Sequence, residues 1–205
     1  MTWRKRIFDL FFASLLVVIL GPVILALVVY IYLKQGRPLF YVAERMKAPD
    51  QPFGLVKFRT MTVVDADQGV SGAHKASRVT PLGARLRAKR MDEFPQLWNI
   101  LKGDLSFVGP RPPLREYVER FPDIYEDVLK SRPGVTGLAT IRFHKHEDRL
   151  LEHCTTAEQT DDIYCRICVP RKAKLDMIYQ RHQNMCYDFD LVFQTIGNLF
   201  RKTKR

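Results

Sequence analysis

Residues 10–33 read LFFASLLVVILGPVILALVVYIYL, 24 consecutive residues without a charged side chain. As a single helix this run would be about 36 Å long, which exceeds the roughly 30 Å of a bilayer's hydrocarbon core. Its midpoint is Gly21–Pro22, where the proline removes a helical hydrogen bond and favours a kink or a break. The run is therefore expected to be a membrane segment, either one spanning helix or two half-helices in a re-entrant hairpin.

Basic residues flank this segment on both sides. They are Arg4, Lys5, Arg6, Lys34, Arg37, Arg45 and Lys47. A spanning helix concentrates Lys and Arg on its cytoplasmic side, whereas a hairpin returns both flanks to the same face. We therefore favour a re-entrant hairpin over residues 1–36, with Gly21 and Pro22 as the break, and keep a spanning helix as the alternative.

The remaining residues 37–205 are predicted to form one cytosolic domain. The chain of 205 residues has 33 Lys and Arg against 22 Asp and Glu, a net charge of +11, and four cysteines. This composition excludes a disordered polymer and a disulfide-stapled scaffold, and it indicates an anionic partner, either a membrane surface or a phosphate-rich ligand. The pattern predicts an α/β (α+β) fold that is mostly helical with a small sheet.

Several segments of this domain carry local signatures of secondary structure. Two segments are strand-like, Leu39–Val42 and Phe53–Phe58. The polar segment Val63–Ser77 is expected to be a loop. The helical segments are Arg85–Gly103 with an interruption near Pro95, Glu116–Lys130 and Leu175–Phe200. The proline-rich segment Phe107–Pro113 is expected to be irregular, and Arg132–Gly137 is expected to be a turn that leads into a short strand.

Two adjacent carboxylates, Asp92 and Glu93, follow a basic stretch and precede Pro95. Between residues 55 and 90 there are eight Lys and Arg but only two acidic residues. Helix capping alone explains such a pair. A catalytic role explains the pair equally well, because a helix start surrounded by cations can bind phosphate. Asp92 would then act as a nucleophile toward phosphorus, and Glu93 would carry a proton.

Other residues suggest phosphate or metal ligands. Arg111 lies in Gly-Pro-Arg-Pro-Pro, where a stiff backbone suits bidentate phosphate binding; an exposed turn is the alternative. Lys57 and Arg59 would share one face of a strand at a spacing that fits a diphosphate, and a polar outer face is the alternative. Cys165 and Cys168 have metal-binding spacing, but a zinc site usually has a second pair, so reduced structural thiols are expected.

Taken together, these motifs resemble those of the bacterial sugar transferases, the monotopic phosphoglycosyl transferases that start glycan assembly on a lipid carrier. The resemblance covers most of the chain, in the family's order. The matching segments are Lys5–Asp9, the apolar run, Lys57–Met61, Asp92–Asp104, Ser106–Pro112, Arg132–Gly137, Leu175–Tyr179 and Tyr187–Asp190.

The resemblance implies a two-step reaction at the bacterial inner membrane, with the catalytic domain facing the cytoplasm. Asp92 would attack the sugar-bearing phosphorus of a UDP-sugar and release UMP, and undecaprenyl phosphate would then accept the phosphosugar. The resemblance makes Glu93 the base of the second step and Asp92 a ligand of Mg²⁺. The residues that we place at substrate-binding positions are Lys57, Arg59, Arg87, Arg111, Arg132 and Asp176. Membrane lipid is a further expected partner, and a homodimer is left open.

Three departures from the family pattern leave questions open. Gly21 stands where relatives commonly have serine before the proline. His144 stands where the family has an arginine, and Arg142 is the nearby substitute. The stretch from about His144 to Lys172, which includes Cys165 and Cys168, does not resemble the family pattern. The sequence does not identify the sugar or the glycan pathway.

Two rival functions remain at this point. A membrane-anchored basic protein could bind anionic lipid or nucleic acid without catalysis, although few aromatic residues interleave with the cations, so nucleic acid is not an expected partner. A polyprenyl-diphosphate hydrolase would share the membrane and the metal but would need no UDP-sugar.

Overall fold

The computed structural model describes residues 2–63 and 78–202, so the loop expected over Val63–Ser77 lies outside the described residues except for its first residue. The fold is helix-rich with two small sheets. The helices are α1 Trp3–Gln35, α2 Pro81–Ala88, α3 Gln96–Lys102, α4 Arg115–Arg120, α5 Pro122–Val128, α6 Leu138–Leu151, α7 Ala157–Ile163, α8 Val169–His182 and α9 Met185–Lys202. The strands are β1 Phe40–Ala48, β2 Gln51–Phe58, β3 Ser106–Val108 and β4 Gly134–Thr136.

The first helix, α1, is continuous and contains Pro22. The sequence predicted two half-helices at this point, so the predicted break in the helix is wrong. Leu20 and Ile24, on either side of the proline, both pack against a core cluster that includes Phe53 and Leu105. These contacts account for the continuity, because packing on both sides of a proline offsets the single hydrogen bond that it removes.

One face of α1 packs against the rest of the chain from end to end. Near its start, Lys5 is buried and its Nζ lies 2.5 Å from Asp188 of α9. At its end, Gln35 Nε2 donates to Thr80 Oγ1 over 2.9 Å. The opposite face is exposed and apolar, and α1 is long and apolar enough to cross a membrane. Both ends of this candidate membrane segment therefore contact the same globular part.

The first sheet is the antiparallel hairpin of β1 and β2, which confirms both predicted strands and extends them. Its register pairs Phe40 with Phe58 and Tyr41 with Lys57. Phe53, Leu55 and Lys57 lie on one face of β2. Phe53 and Leu55 enter the core, while Lys57, nearer the end of the strand, pairs with Glu93 in the segment that carries the adjacent carboxylates.

The second sheet consists of β3 and β4, which run parallel. The segment from Phe107 was expected to be irregular, but its first two residues belong to β3, so that expectation is wrong in part. A Cβ atom on Gly134 would lie 2.2 Å from the backbone nitrogen of Gly109. The close approach of these two backbone segments therefore requires glycine at position 134. The predicted strand after Arg132 is confirmed as β4.

Two predicted helices are each divided in the structure. The helix expected over Glu116–Lys130 is α4 and α5, because Pro122 cannot continue α4 and instead begins α5. The helix expected over Leu175–Phe200 is the end of α8 and α9. Asn184 separates them, since its Oδ1 accepts the Tyr187 backbone N–H over 2.9 Å at the start of α9.

The largest core cluster lies among helices α4 to α8. It includes Tyr117, Tyr164 and three of the four cysteines, and Tyr164–Cys168 is a single π-helical turn that leads into α8. Burial raises the pKa of Cys165 and of Cys168 to about 11. All four cysteines are free, as expected for structural thiols.

Candidate active site

The two adjacent carboxylates lie in a short 3-10 turn, Met91–Glu93, between α2 and α3. The preceding residue, Arg90, has a left-handed backbone with φ of 54°, which redirects the chain after α2. Asp92 is 7% exposed, and Pro95 and Gln96 begin the next helix directly after the turn. The pair lies next to a helix start, as predicted, but it does not cap α3, whose N-cap is Pro95.

Both carboxylate oxygens of Glu93 are in ion pairs. Its Oε1 lies 3.0 Å from Lys57 Nζ, and its Oε2 lies 2.8 Å from Arg90 Nη2. Burial raises the pKa of Glu93, but Lys57, Arg90 and Arg111 outweigh burial and lower it to about 2. Glu93 is therefore a fixed negative charge that holds two cations beside the turn.

Asp92 has the opposite electrostatic balance. Burial and then the charge of Glu93 raise the pKa of Asp92 above its ordinary value, while Lys57 and Arg87 lower it. The sequence predicted that nearby cations would favour the charged form, and they do, but burial outweighs them. Arg87 is held in place because its Nε donates to Thr60 Oγ1 over 2.9 Å. The two carboxylates of the turn therefore differ. Two ion pairs compensate the negative charge of Glu93, whereas the cations near Asp92 lower its pKa by less than burial raises it.

Two predicted substrate-binding residues lie elsewhere. Arg59 follows the last residue of β2, and its Nη2 donates to the Gln35 carbonyl over 2.5 Å and to the Gly36 carbonyl over 3.2 Å. Arg59 thus binds the end of α1, and its pairing with Lys57 on a diphosphate stays a prediction. Arg132 lies beside Gly103, at the end of α3 that is remote from Asp92.

Arg111 links the carboxylate pair to a neighbouring cavity. It is exposed, its charge lowers the pKa of Glu93, and it lines a cavity of about 60 Å³. Asp176 of α8 lines the same cavity and is 7% exposed. The predicted site residues Lys57, Arg87, Arg111 and Asp176 are thus gathered around the turn and this cavity.

Asp176 is an unusual acid. Its Oδ1 has no hydrogen-bond partner among the described residues. Burial raises its pKa to about 7, and Lys172 opposes this shift. Perturbed acids in clefts are typical of functional sites, because a purely structural carboxylate is normally paired.

Sequence reasoning missed three cations of this region as site residues. Arg90 has a local signal, since it lies three residues before Glu93. Arg45 of β1 and Lys172 of α8 line the cavity and have no such signal, because the fold alone brings them together. Lys172 Nζ is held 3.0 Å from Glu147 and 3.2 Å from the Tyr164 hydroxyl. The two substitutes discussed for the family's arginine, Arg142 and His144, are both exposed on α6.

Asp92 fits a magnesium ion better than a transition metal. No cluster of three or more His, Cys, Asp or Glu suited to a metal is present within residues 2–63 and 78–202. Mg²⁺ is commonly held by one or two carboxylates together with substrate phosphates and water. One carboxylate beside a phosphate-binding surface meets that requirement, so Asp92 could hold the ion only together with a bound phosphate.

Comparison with known proteins gives a consistent set of relatives. The family model described as bacterial sugar transferase matches residues 1–202. The chain is 29% identical over 196 residues to the UDP-glucose:undecaprenyl-phosphate glucose-1-phosphate transferase of Klebsiella pneumoniae, which covers 94% of this chain and 39% of the relative. It is 38% identical over 144 residues to a protein of the same name from Caulobacter vibrioides, with coverage of 68% and 54%.

A third relative has a different sugar in its name. The chain is 30% identical over 201 residues to the UDP-N-acetylgalactosamine-undecaprenyl-phosphate N-acetylgalactosaminephosphotransferase of Aeromonas hydrophila, with coverage of 95% and 43%. The chain spans between about two fifths and just over half of the length of these three relatives.

Proposed function

The chain belongs to the bacterial sugar transferase family, and on that premise we propose that it transfers a sugar-1-phosphate from a UDP-sugar to polyprenyl phosphate. The relatives named above act on UDP-glucose or UDP-N-acetylgalactosamine and on undecaprenyl phosphate. The observation that carries the proposal is the asymmetry of the carboxylate pair: Glu93 is neutralised by Lys57 and Arg90, while Asp92 is not.

In the proposed first step, a carboxylate oxygen of Asp92 attacks the phosphorus that bears the sugar. The bond between this phosphorus and the bridging oxygen breaks, and UMP leaves with that oxygen. An aspartyl phosphosugar remains on the enzyme. Lys57, Arg87 and Arg111 supply positive charge near the reacting phosphates, where it stabilises charge that develops in the transition state.

In the proposed second step, an oxygen of polyprenyl phosphate attacks the phosphorus of the adduct. The acyl phosphate bond breaks and the carboxylate of Asp92 is restored, with a polyprenyl-diphosphate sugar as product. We propose Glu93 as the proton acceptor of this step. Because both of its oxygens are in ion pairs, one of them must first be released, and the incoming phosphate can compete with Glu93 for Lys57 or Arg90.

Mg²⁺ bound by Asp92 and the substrate phosphates would neutralise phosphate charge. The protein's own contribution is to place the nucleophile. The left-handed residue Arg90 before the turn and α3 after it hold Asp92 in one orientation. Such placement supports in-line attack because a positioned nucleophile avoids the entropy cost of an encounter.

We also propose that α1 anchors the enzyme to the inner membrane and that both of its ends face the cytoplasm. Support comes from its contacts, since Lys5 binds α9 and Gln35 binds Thr80 next to α2. A helix that crossed the bilayer would separate its two ends by the hydrocarbon core, so they would not both contact one cytoplasmic domain.

The test is UMP release by the full chain in detergent micelles with a panel of UDP-sugars, undecaprenyl phosphate and Mg²⁺. We expect release with at least one sugar and loss of release in Asp92→Asn, which keeps the shape but not the nucleophile. Asp123→Asn, an exposed change on α5, is the matched control and should be fully active. Normal turnover by Asp92→Asn, or lipid binding with no reaction of any UDP-sugar, would refute the proposal.

A further inference from the structure

A side-chain amide pairs with one edge of the first sheet. Among the described residues, β2 pairs with β1 alone, so the other edge of β2 has backbone groups that no strand binds. Asn99 of α3 lies against this edge and is 1% exposed. Its Oδ1 accepts the Val56 backbone N–H over 3.0 Å, and its Nδ2 donates to the Gly54 carbonyl over 2.7 Å. One side chain therefore takes the place of a neighbouring strand at these two residues.

The backbone that Asn99 binds leads directly to Lys57. Val56 is the residue before Lys57 on β2, so the hydrogen bond to its N–H fixes the strand at the point from which the Lys57 side chain begins. The Nζ of Lys57 lies 3.0 Å from Glu93 Oε1. Helix α3 thus holds the strand that carries the partner of the carboxylate preceding this helix.

The turn that carries Glu93 is itself hydrogen-bonded to α3. The Leu97 backbone N–H donates to the Phe94 carbonyl over 3.1 Å, so the turn runs into the helix without a gap in the backbone hydrogen bonds. The contacts therefore form a closed ring. Asn99 binds β2, β2 carries Lys57, Lys57 binds Glu93, and the chain from Glu93 leads back into α3.

We propose that Asn99 is a positioning residue that fixes Lys57 relative to Glu93. It acts through Lys57, and the inference rests on the proposed function because that function gives Lys57 and Glu93 their roles at the phosphates. An asparagine side chain suits this place because it offers a donor and an acceptor in one plane, as a peptide group does. An ionised aspartate has no donor for the Gly54 carbonyl, and an apolar side chain has neither group.

The first experiment measures the coupling between Lys57 and Glu93 by thermal unfolding of the full chain in detergent micelles. Melting temperatures are compared for the wild type, Lys57→Met, Glu93→Gln and the double variant, and all four are repeated with Asn99→Ala. With Asn99 present, the two single changes should be non-additive by about 5 °C, as is typical of groups in contact. With Asn99→Ala, the non-additivity should fall below about 2 °C. Asn99→Leu fills the same space without an amide and should give the same loss, so the result does not depend on the folding of one variant.

The second experiment measures kcat/KM for the UDP-sugar by UMP release. Asn99→Ala should lower kcat/KM about tenfold or more when Lys57 is present, but less than about threefold in the Lys57→Met background, because the group that it positions is then absent. Ile100→Val is the matched control. It removes a methylene group from the buried neighbour of Asn99 and leaves the amide contacts in place, so it should lower the melting temperature but change neither the coupling nor kcat/KM.

Two results would overturn the inference. One is an unchanged coupling between Lys57 and Glu93 in folded Asn99→Ala and Asn99→Leu. The other is an equal loss of kcat/KM with and without Lys57. Loss of the coupling in a protein that releases UMP from no UDP-sugar would refute the proposed function and leave the positioning role standing, since the unfolding experiment needs no substrate.

Discussion

Replacing Asp176 with asparagine should stabilise the protein, and the gain should grow with pH. In the folded chain this carboxyl is buried and Oδ1 has no partner among the described residues, and burial raises its pKa from the ordinary 3.8 to about 7. In the unfolded chain the group ionises near its ordinary pKa. Between these two values, folding must take up a proton, so the stability of the wild type falls as the pH rises.

The size of the effect follows from the two pKa values. The difference between 3.8 and about 7, at about 1.4 kcal/mol per pH unit, corresponds to on the order of 4 kcal/mol above the folded pKa. Asparagine does not titrate, so the variant escapes this cost. At pH 4 both side chains are mostly neutral in the folded state and the two proteins should have similar stability. At pH 8 the variant should have a melting temperature about 10 °C higher.

The assay is thermal unfolding in detergent micelles across pH 4 to 8, followed by the circular dichroism of the helices. Asp161→Asn is a control of opposite sign. Arg120 and the Tyr117 hydroxyl bind Asp161 and lower its pKa despite some burial, so this variant should be less stable than the wild type at pH 8. A constant difference in melting temperature between Asp176→Asn and the wild type from pH 4 to 8 would refute the reasoning.

Three further predictions concern the reaction and the membrane. Without the lipid acceptor, Glu93→Gln should still release up to about one equivalent of UMP; with the acceptor its turnover should fall by roughly 10² to 10⁴, and undiminished turnover would contradict its role as the base. In steady-state kinetics, Arg111→Met should raise the KM for the UDP-sugar at least tenfold. The control Arg115→Met, which removes only an exposed ion pair with a glutamate, should leave this KM unchanged. The same change of KM in both variants would argue against a contact between Arg111 and the substrate. Single cysteines at Thr2 and Gln35 in a cysteine-free background should both resist a membrane-impermeant thiol reagent in intact cells, and labelling of Thr2→Cys alone would indicate a spanning helix.

Local sequence was sufficient where the signal itself was local. The pair Asp92–Glu93 before Pro95 predicted the start of a helix, and the structure has α3 begin at Gln96, directly after the short 3-10 turn that carries the pair. Strands β1 and β2 were predicted from their own residues, whereas their pairing as a hairpin was not. The proline-rich segment around Arg111 and the family motifs both placed this exposed residue at the site.

The remaining features depend on contacts between distant segments. Strand β3 was missed because its partner begins at Gly134, well beyond any local pattern. Arg59 was assigned to the site from the alternation of a strand, but the strand ends at Phe58 and the side chain turns to the end of α1. Helix continuity through Pro22 and the cavity role of Arg45 likewise follow from packing that a linear sequence does not display.

The most direct test of the account is whether Asp92 carries a phosphosugar. The wild type is mixed with a UDP-sugar and Mg²⁺ without the lipid acceptor, quenched, and analysed by intact-protein mass spectrometry and peptide mapping. We predict about one adduct per chain, located on Asp92, with one equivalent of UMP released and no adduct on Asp92→Asn. An adduct on Glu93 would contradict the assignment of the nucleophile, and UMP release only when both substrates are present, with no adduct, would show a single direct displacement instead.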